Sequence, residues 1–250
     1  MNKIIFLFNI IKRFPVIDDQ SNEQIRDGYF YALDDISLSI NEGECTIIAG
    51  ANGSGKSLLM SIIAGLEEPT SGTVKTNLKV GLVFQEPDMQ ILGETPREDI
   101  AFGPRNLGYN KKQIIQCVEE ALKQTGLCEK AEFPARSLSG GEKRRLAVAG
   151  VLAMDAQIII FDEPYANMDY PGVIQVNRLF QKLIKDGKTI IILTHELEKC
   201  MALAKRLIVL CKGKIAYDGE IKDALAFDLE LYGIRNPLKS SACNIEDLLW

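Results

Sequence analysis

The sequence predicts an α/β fold organised around a mostly parallel β-sheet. Short and nearly uninterrupted apolar runs alternate with segments of helical periodicity, which is the pattern of strands linked by helices. The runs occupy residues 45–49, 80–84, 158–161 and 189–193. Such runs fit strands that are covered on both faces, as in the centre of a parallel sheet. With 46% hydrophobic and 25% charged residues among 250, the composition is that of a globular protein and excludes a collagen-like or disordered chain.

Other strands are predicted from their own patterns. Residues 35–40 alternate apolar and polar side chains, as a strand with one buried face does. The apolar run at residues 4–8 is similar to the start of a signal peptide. Asn9 interrupts it and no small-residue cleavage site follows, so an opening strand is predicted. Residues 206–210 and 214–217 flank a Lys-Gly pair, which predicts a hairpin.

The segment between the second and third of these apolar runs is predicted to be a mainly helical insert, at about residues 87–155. Asn110 is a suitable N-cap for a helix whose apolar residues recur every four positions, namely Ile114, Val118 and Leu122. The mostly polar residues 16–27 are predicted to form a surface loop. We therefore expect one domain over residues 1–235 that contains the insert, followed by a tail at 236–250.

The charge balance and the cysteines disfavour a nucleic-acid partner and a zinc site. Lysine and arginine number 29 against 34 acidic residues, so no global positive field exists to attract nucleic acid, and a nucleic-acid partner is disfavoured. Six cysteines are scattered singly beside one histidine, which disfavours a zinc site and fits a reducing compartment. No apolar stretch approaches the ~20 residues of a transmembrane helix, so a role at a membrane would run through a partner.

A phosphate-binding loop follows the apolar run at residues 45–49. The pattern G-x-x-x-x-G-K-[ST] stands between that predicted strand and a helical run at 58–64, which is the context the motif requires. The glycines let backbone N–H groups surround phosphates, Lys56 neutralises the β- and γ-phosphates, and the Ser57 hydroxyl ligates Mg²⁺. The predicted nucleotide-binding residues are Gly50, Ala51, Asn52, Gly53, Ser54, Gly55, Lys56 and Ser57.

Two carboxylates end the apolar run at residues 158–161. Asp162 and Glu163 stand at the C-terminal end of a predicted buried strand, where ligands bind in open α/β sheets. This is the Walker B arrangement beside a P-loop. Asp162 is predicted to hold Mg²⁺, and Glu163 to polarise the water that attacks the nucleotide.

A second anion site is predicted at the start of the helical run at residues 143–154. Ser139, Gly140 and Gly141 precede this run within the sequence Leu-Ser-Gly-Gly-Glu. The free N–H groups and dipole of a helix N-terminus favour an anion. The P-loop already provides one phosphate site in this chain. A second anion site is useful if it contacts the nucleotide that is bound to another subunit.

These motifs resemble those of the nucleotide-binding subunits of ATP-binding-cassette (ABC) transporters, over nearly the full length of the chain. The Leu-Ser-Gly-Gly-Glu signature lies between Walker A and Walker B, as in that family. The resemblance implies a P-loop NTPase core with a mostly parallel sheet, an antiparallel β subdomain and a helical insert. It also implies that Gln85 is the Q-loop residue, which ligates Mg²⁺ and senses the membrane partner. His195 matches the switch histidine that contacts the γ-phosphate.

Two family positions are matched less closely. Residues 166–169 stand where the D-loop belongs, and Asp169 carries over, but the family more often has a small residue and Leu where this chain has Asn and Met. For the aromatic ring that stacks on adenine, Phe14 fits the family's placement after the first strand. Three competitors follow the predicted loop, namely Tyr29, Phe30 and Tyr31.

A narrower resemblance is carried by residues 84–92 and 98–108, which are similar to the ATPases of energy-coupling-factor importers and their cobalt and nickel relatives. It implies an ATP- and Mg²⁺-dependent ATPase at the cytoplasmic face of the membrane, which drives uptake of vitamins or transition-metal ions. Its partners would be a second ABC ATPase subunit, identical or different, and a transmembrane subunit. Alternatives are another ABC transporter class and a non-transport ABC ATPase. Two alternatives are predicted for Met89, Ile91 and Leu92. They either contact the membrane subunit or pack in the core of the insert.

Overall fold

The computed structural model describes residues 2–16, 22–224 and 226–237. The chain divides into two compact units. The first unit contains Met1–Asn77 and Ile191–Trp250, and the second unit is Leu78–Ile190. Within the described residues, no helix is both long and apolar enough to cross a bilayer.

The described residues form ten strands and six α-helices. The strands are β1 Lys3–Pro15, β2 Ile25–Arg26, β3 Tyr29–Asn41, β4 Cys45–Ala49, β5 Ser71–Thr76, β6 Val80–Val83, β7 Ile158–Asp162, β8 Thr189–Thr194, β9 Arg206–Cys211 and β10 Lys214–Glu220. The helices are α1 Lys56–Ile63, α2 Pro96–Asn106, α3 Lys111–Thr125, α4 Gly140–Ala153, α5 Tyr170–Lys185 and α6 Ile221–Ala224. Short 3₁₀ turns lie at Pro87–Met89, Cys128–Lys130, Ala135–Ser137, Leu197–Lys199, Met201–Leu203 and Leu229–Tyr232.

The first unit contains an antiparallel sheet with the order β2-β3-β1-β5. The predicted opening strand is confirmed as β1, and the alternation over residues 35–40 is confirmed within β3, where Ile36, Leu38 and Ile40 are buried. Residues 17–21 of the predicted loop over residues 16–27 lie outside the described residues, and the prediction is wrong at Ile25–Arg26, which form β2 and pair with β3. Asp27 and Gly28 both have positive φ, at 51° and 75°, which is the two-residue turn that suits a hairpin.

The remaining strands include parallel pairs, as the predicted α/β fold requires. In the first unit β4 runs parallel to β9, and β9 pairs antiparallel with β10, so the predicted hairpin is confirmed. In the second unit β6 runs parallel to β7. The apolar runs at β4, β6, β7 and β8 are all strands, as predicted. Every residue of β4 and β8 is buried, as expected for strands covered on both faces.

The helices of the second unit enclose a core of their own. Asn110 caps α3 in a reciprocal capping box with Gln113, so the predicted helix start is confirmed. Val118 and Leu122 are buried in the core, and Ile114 packs partly against it. The core residues come from α2, α3, α4 and the turns between them: Ile100, Ala101, Val118, Ala121, Leu122, Leu127, Ala131, Ala135, Leu138, Leu146, Ala149 and Ala153. The domain limits 1–235 and the limits of the insert stay predictions, and residues 238–250 of the predicted tail lie outside the described residues.

Helix α4 packs so tightly on β6 that one strand position must be glycine. A Cβ placed on Gly81 would overlap Cγ1 of Val151, and it would lie 3.2 Å from Cβ of Ala156. A side chain of any size there has to push α4 away from the strand. Gly150 lies one residue earlier on the same helix, and a Cβ there would meet nothing within 4 Å.

We expect Gly81→Ala to lower the free energy of unfolding by about 1–3 kcal/mol, because overpacking forces side-chain and backbone shifts. Gly150→Ala is the matched control, and it should raise stability by about 0.5–1 kcal/mol, since alanine is the better helix former. Urea unfolding of both variants measures the difference. Equal stability of the two variants would show that Gly81 is not a close-packing position.

Candidate nucleotide-binding site

The predicted P-loop connects β4 to α1 in the first unit, and its conformation requires glycine. Gly55 is the N-cap of α1 with φ 101°, and a Cβ there would lie 2.8 Å from Cδ2 of Leu33 and 2.9 Å from the carbonyl oxygen of Ala32. At Gly50 a Cβ would overlap the carbonyl oxygen of Leu210. The spacing of the glycines in the motif therefore follows from close approaches of backbone to backbone.

The P-loop side chains fit a phosphate ligand. Lys56 is only 6% exposed, and its Nζ donates hydrogen bonds to the carbonyl oxygens of Gly50 at 2.7 Å and Ala51 at 3.1 Å, which holds the ammonium against the loop. Ser54 Oγ is buried without a hydrogen-bond partner in the described part of the chain. A buried hydroxyl without a partner is costly unless a ligand satisfies it. Together with the N-terminus of α1, these groups suit a nucleotide phosphate.

Two further predicted residues belong to the first unit. His195 follows the last residue of β8 and is exposed, and the next residue, Glu196, donates its N–H to Thr194 Oγ1 at 3.0 Å. Phe14 lies near the end of β1, pairs with Phe30 across the sheet, and is 43% exposed. The switch and adenine-stacking roles of these side chains stay predictions.

Two competitors of Phe14, the tyrosines Tyr29 and Tyr31, have arginine side chains over their rings. The Arg13 guanidinium lies 4.2 Å from the ring centroid of Tyr29, and the Arg26 guanidinium lies 4.2 Å from that of Tyr31. Both tyrosines and Phe30 are only partly exposed. Lys12 Nζ likewise lies 5.5 Å from the ring centroid of Phe14, so cation contacts do not separate the candidates. Phe14 is the most exposed of the four aromatic rings.

The Walker B carboxylates lie in the second unit. Asp162 is the last residue of β7, and Glu163 follows it with only 8% of its surface exposed. Glu163 has φ 42°, a left-handed conformation that is uncommon for residues other than glycine. Strain of this kind persists where the surrounding structure holds a residue in place, and it clusters at functional sites.

The departure of the D-loop from the family pattern has a local reason. Asn167 has φ 57°, a conformation that asparagine tolerates better than most residues. Two turns build the loop, in which Ala166 N–H bonds to the Glu163 carbonyl at 3.2 Å and Met168 N–H to the Tyr165 carbonyl at 3.3 Å. Asp169 caps α5 by accepting the Gly172 N–H at 2.9 Å. The structure thus gives Asp169 a capping role, and its nucleotide role stays a prediction.

The signature segment begins α4, as predicted. Ser139 caps the helix by accepting the Glu142 N–H, and Glu142 in turn accepts the Ser139 N–H at 2.9 Å. A Cβ placed on Gly140 or Gly141 would meet no atom of the described chain within 4 Å. Packing among the described residues therefore does not require these glycines, although each costs a helix about 0.5–1 kcal/mol relative to alanine.

Gln85 follows β6 at the start of an exposed segment, residues 85–92, which we call the docking segment. Gln90 shapes it by accepting the Phe84 N–H at 3.2 Å and donating to the Leu82 carbonyl at 3.0 Å. The three apolar residues of this segment differ in burial. Ile91 packs against the helical core, whereas Met89 is 76% and Leu92 66% exposed.

Sequence reasoning missed two positioning residues of this region. Asp99, in α2, accepts the N–H groups of Leu92 at 2.7 Å and Gly93 at 2.9 Å, and burial raises its pKa. Arg144, in α4, donates from Nη2 to the Gln85 carbonyl at 3.2 Å. The Arg144 contact joins residues 59 positions apart, and the Asp99 contacts hold an irregular turn, so sequence periodicity predicts neither.

Comparisons with known proteins place the chain in a family. The family model described as ABC transporter matches residues 33–166. The chain is 41% identical over 215 residues to the energy-coupling factor transporter ATP-binding protein EcfA2 of Methanospirillum hungatei JF-1, covering 80% of this chain and 54% of that relative. It is 40% identical over 222 residues to the corresponding protein EcfA of Carboxydothermus hydrogenoformans, covering 83% and 82%. The chain thus spans about half of the first relative and most of the second.

A solved structure agrees with this result. The dimeric ATP-binding cassette MJ0796, in a post-hydrolysis state bound to ADP and Pi, aligns with a TM-score of 0.72 at 29% identity, covering 87% of this chain and 99% of that chain. The fold is therefore that of a P-loop NTPase, as predicted. The chain belongs to the ABC transporter family and is an ATPase that binds and hydrolyses nucleotide.

The capping box of α4 makes the stability of the second unit depend on pH. The hydrogen bond from Lys130 Nζ, at 2.5 Å, and the Ser139 N–H lower the pKa of Glu142 from its ordinary value of 4.5 to about 2. Because the pKa is depressed in the folded state, the ionised carboxylate stabilises the fold above pH 4.5. That contribution is lost as the pH falls from 4.5 toward 2.

We expect Glu142→Gln, which keeps the shape of the cap but loses the charge, to be less stable than the wild type at neutral pH. The difference in the free energy of unfolding should shrink as the pH falls below 4.5. Urea unfolding over a pH series measures it, with the exposed neighbour Glu129→Gln as the control. A difference that is independent of pH would mean that the Lys130 contact contributes no charge interaction.

Proposed function

We propose that this chain is the ATP-hydrolysing subunit of a membrane importer of the energy-coupling factor type, which takes up vitamins or transition-metal ions. Two relatives that match most of the chain carry that name. The observation that carries the proposal is the docking segment, because it exposes two large apolar side chains, Met89 and Leu92, near the residue predicted to sense a membrane partner. An ATPase that acted alone would have no use for this surface.

The P-loop is proposed to bind the phosphates of ATP. Lys56 would leave its carbonyl partners for the β- and γ-phosphates, and the N–H groups of residues 50–57 would contact the phosphate oxygens. Ser57, which is exposed at the first turn of α1, supplies the hydroxyl that a Mg²⁺ ion takes in such loops. Phe14 is proposed to stack on adenine.

Mg²⁺ is the proposed metal cofactor, and its chemistry when bound is to neutralise charge on the phosphates. Besides Ser57, the residues proposed to ligate it are Gln85 and Asp162. Their amide and carboxylate oxygens are the hard donors that this ion prefers. Mg²⁺ keeps several waters, so a few protein oxygens are enough.

The remaining roles concern the attacking water and the γ-phosphate. Glu163 is proposed to accept a proton from the attacking water. The residue is nearly buried and its backbone has an unusual left-handed conformation, and both features restrict where the carboxylate can lie. His195 is proposed to contact the γ-phosphate. Catalysis then rests mostly on positioning and on stabilising charge, as in other phosphoryl transfers.

The signature segment is proposed to act on the nucleotide of a second ABC ATPase subunit, identical or different. Packing among the described residues does not require glycine at Gly140 and Gly141, and their exposed backbone leaves room for the close approach of another surface. The N-terminus of α4 offers N–H groups and a favourable dipole to an anion. Ser139, Gly140, Gly141 and Asp169 of one subunit would thus close the site of the other.

The docking segment is proposed to contact a transmembrane subunit, which would hold the chain at the cytoplasmic face of the membrane. We expect Met89→Asp combined with Leu92→Asp to fold and to bind ATP, yet to reduce assembly with that subunit by at least about tenfold, because two exposed apolar anchors are lost. Ile91 is left unchanged, because it belongs to the helical core.

Co-purification from native membranes measures assembly, circular dichroism measures folding, and calorimetry measures ATP binding. Phe133→Asp, at an exposed apolar residue of another turn, is the matched control and should assemble normally. Normal assembly of the double variant would exclude the docking segment as the contact with a membrane subunit.

A further inference from the structure

The first turns of α4 carry consecutive cations whose partners lie in different segments of the second unit. Lys143 Nζ pairs with Asp88 at 2.6 Å, in the docking segment. Arg144 Nη2 donates to the Gln85 carbonyl at 3.2 Å. A second contact of the same nitrogen reaches the Ala166 carbonyl at 3.5 Å, in the D-loop. One helix therefore contacts the docking segment twice and the D-loop once.

Arg144 is unusual in being a buried cation whose described partners include no carboxylate. Only 8% of its surface is exposed, and burial lowers its pKa. Its Nε has no hydrogen-bond partner among the described residues. The side chain borders a small, mainly apolar cavity, which is also lined by Val148, Phe161, Met168, Val176 and Phe180.

An arginine in this setting is a poor choice for stability. Removing a guanidinium from water is costly, and a buried charge that is incompletely bonded is often replaced by an apolar side chain at no loss or with a gain. The guanidinium does offer something that an apolar residue cannot. The two N–H bonds of its Nη2 can hold two carbonyl oxygens from separate segments at a fixed spacing.

We propose that Arg144 is a positioning residue that ties the carbonyls of Gln85 and Ala166 to the signature helix, so that the docking segment, α4 and the D-loop shift together. The Lys143–Asp88 ion pair is a second and more exposed tie to the same segment. A displacement of the docking segment is then transmitted to both parts of the site. This inference rests on the proposed function, in which that segment meets the membrane subunit.

The test compares Arg144→Met with Arg144→Lys in the whole chain, with Arg178→Met as the control at an exposed arginine of α5. Amide hydrogen exchange is measured in residues 85–92 and 166–169. We expect about tenfold faster exchange in both segments of Arg144→Met, without loss of stability in urea. Arg144→Lys, which retains one compact donor group, should restore protection in one segment, and Arg178→Met should leave both unchanged.

Hydrolysis of Mg-ATP supplies the second readout. In Arg144→Met we expect kcat to fall about tenfold or more while KM for ATP changes less than about twofold, because positioning of the reacting groups is lost and the P-loop is intact. Arg144→Lys should recover part of kcat.

Unchanged exchange in both segments overturns the proposal, and so does a destabilised Arg144→Met whose exchange rises throughout the second unit. A wild-type chain without ATPase activity would contradict the proposed function, and the exchange measurement would still decide on Arg144.

Discussion

The N-terminus of α4 is the constraint on which the second unit depends. In the proposed function the helix begins with backbone that another molecule approaches, and Gly140 and Gly141 leave that backbone without side chains. Two bare glycines weaken a helix start, and the reciprocal capping box of Ser139 and Glu142 offsets that weakness. Lys130 adds a charge contact to the same carboxylate. The segment is thus stabilised from its flanks and left open where the proposed partner binds.

The P-loop of the first unit follows the same physical logic. Gly50 and Gly55 are glycines because neighbouring backbone leaves no room for a Cβ, so the loop is built by close packing behind it. Lys56 is held against loop carbonyls, which are weaker partners for an ammonium than phosphate oxygens are. Both halves of the proposed site therefore offer backbone N–H groups to anions and keep bulky side chains out of the way.

Much of this could be predicted from the sequence, because apolar periodicity and short motifs are local signals. The strands at β4, β6, β7, β8 and the β9-β10 hairpin, and the caps at Asn110 and Ser139, all follow from a few adjacent residues. Strand β2 differs from the predicted loop. Its two residues lie in a polar stretch, and only the Asp-Gly turn that follows them indicates a hairpin. The role of Arg144 depends on a tertiary contact that spacing does not encode, and Asp99 accepts hydrogen bonds from an irregular turn that no periodicity predicts.

The central claim is that the signature of one subunit completes the nucleotide site of another, and a mixing experiment tests it most directly. Lys56→Ala removes the P-loop cation, and Ser139→Arg blocks the signature, so each purified variant alone should hydrolyse almost no ATP. For a dimer of identical subunits, a mixture in equal amounts should recover about a quarter of the wild-type rate, because half of the dimers contain one intact composite site of two. In such a dimer, a mixture no more active than either variant alone would contradict the account.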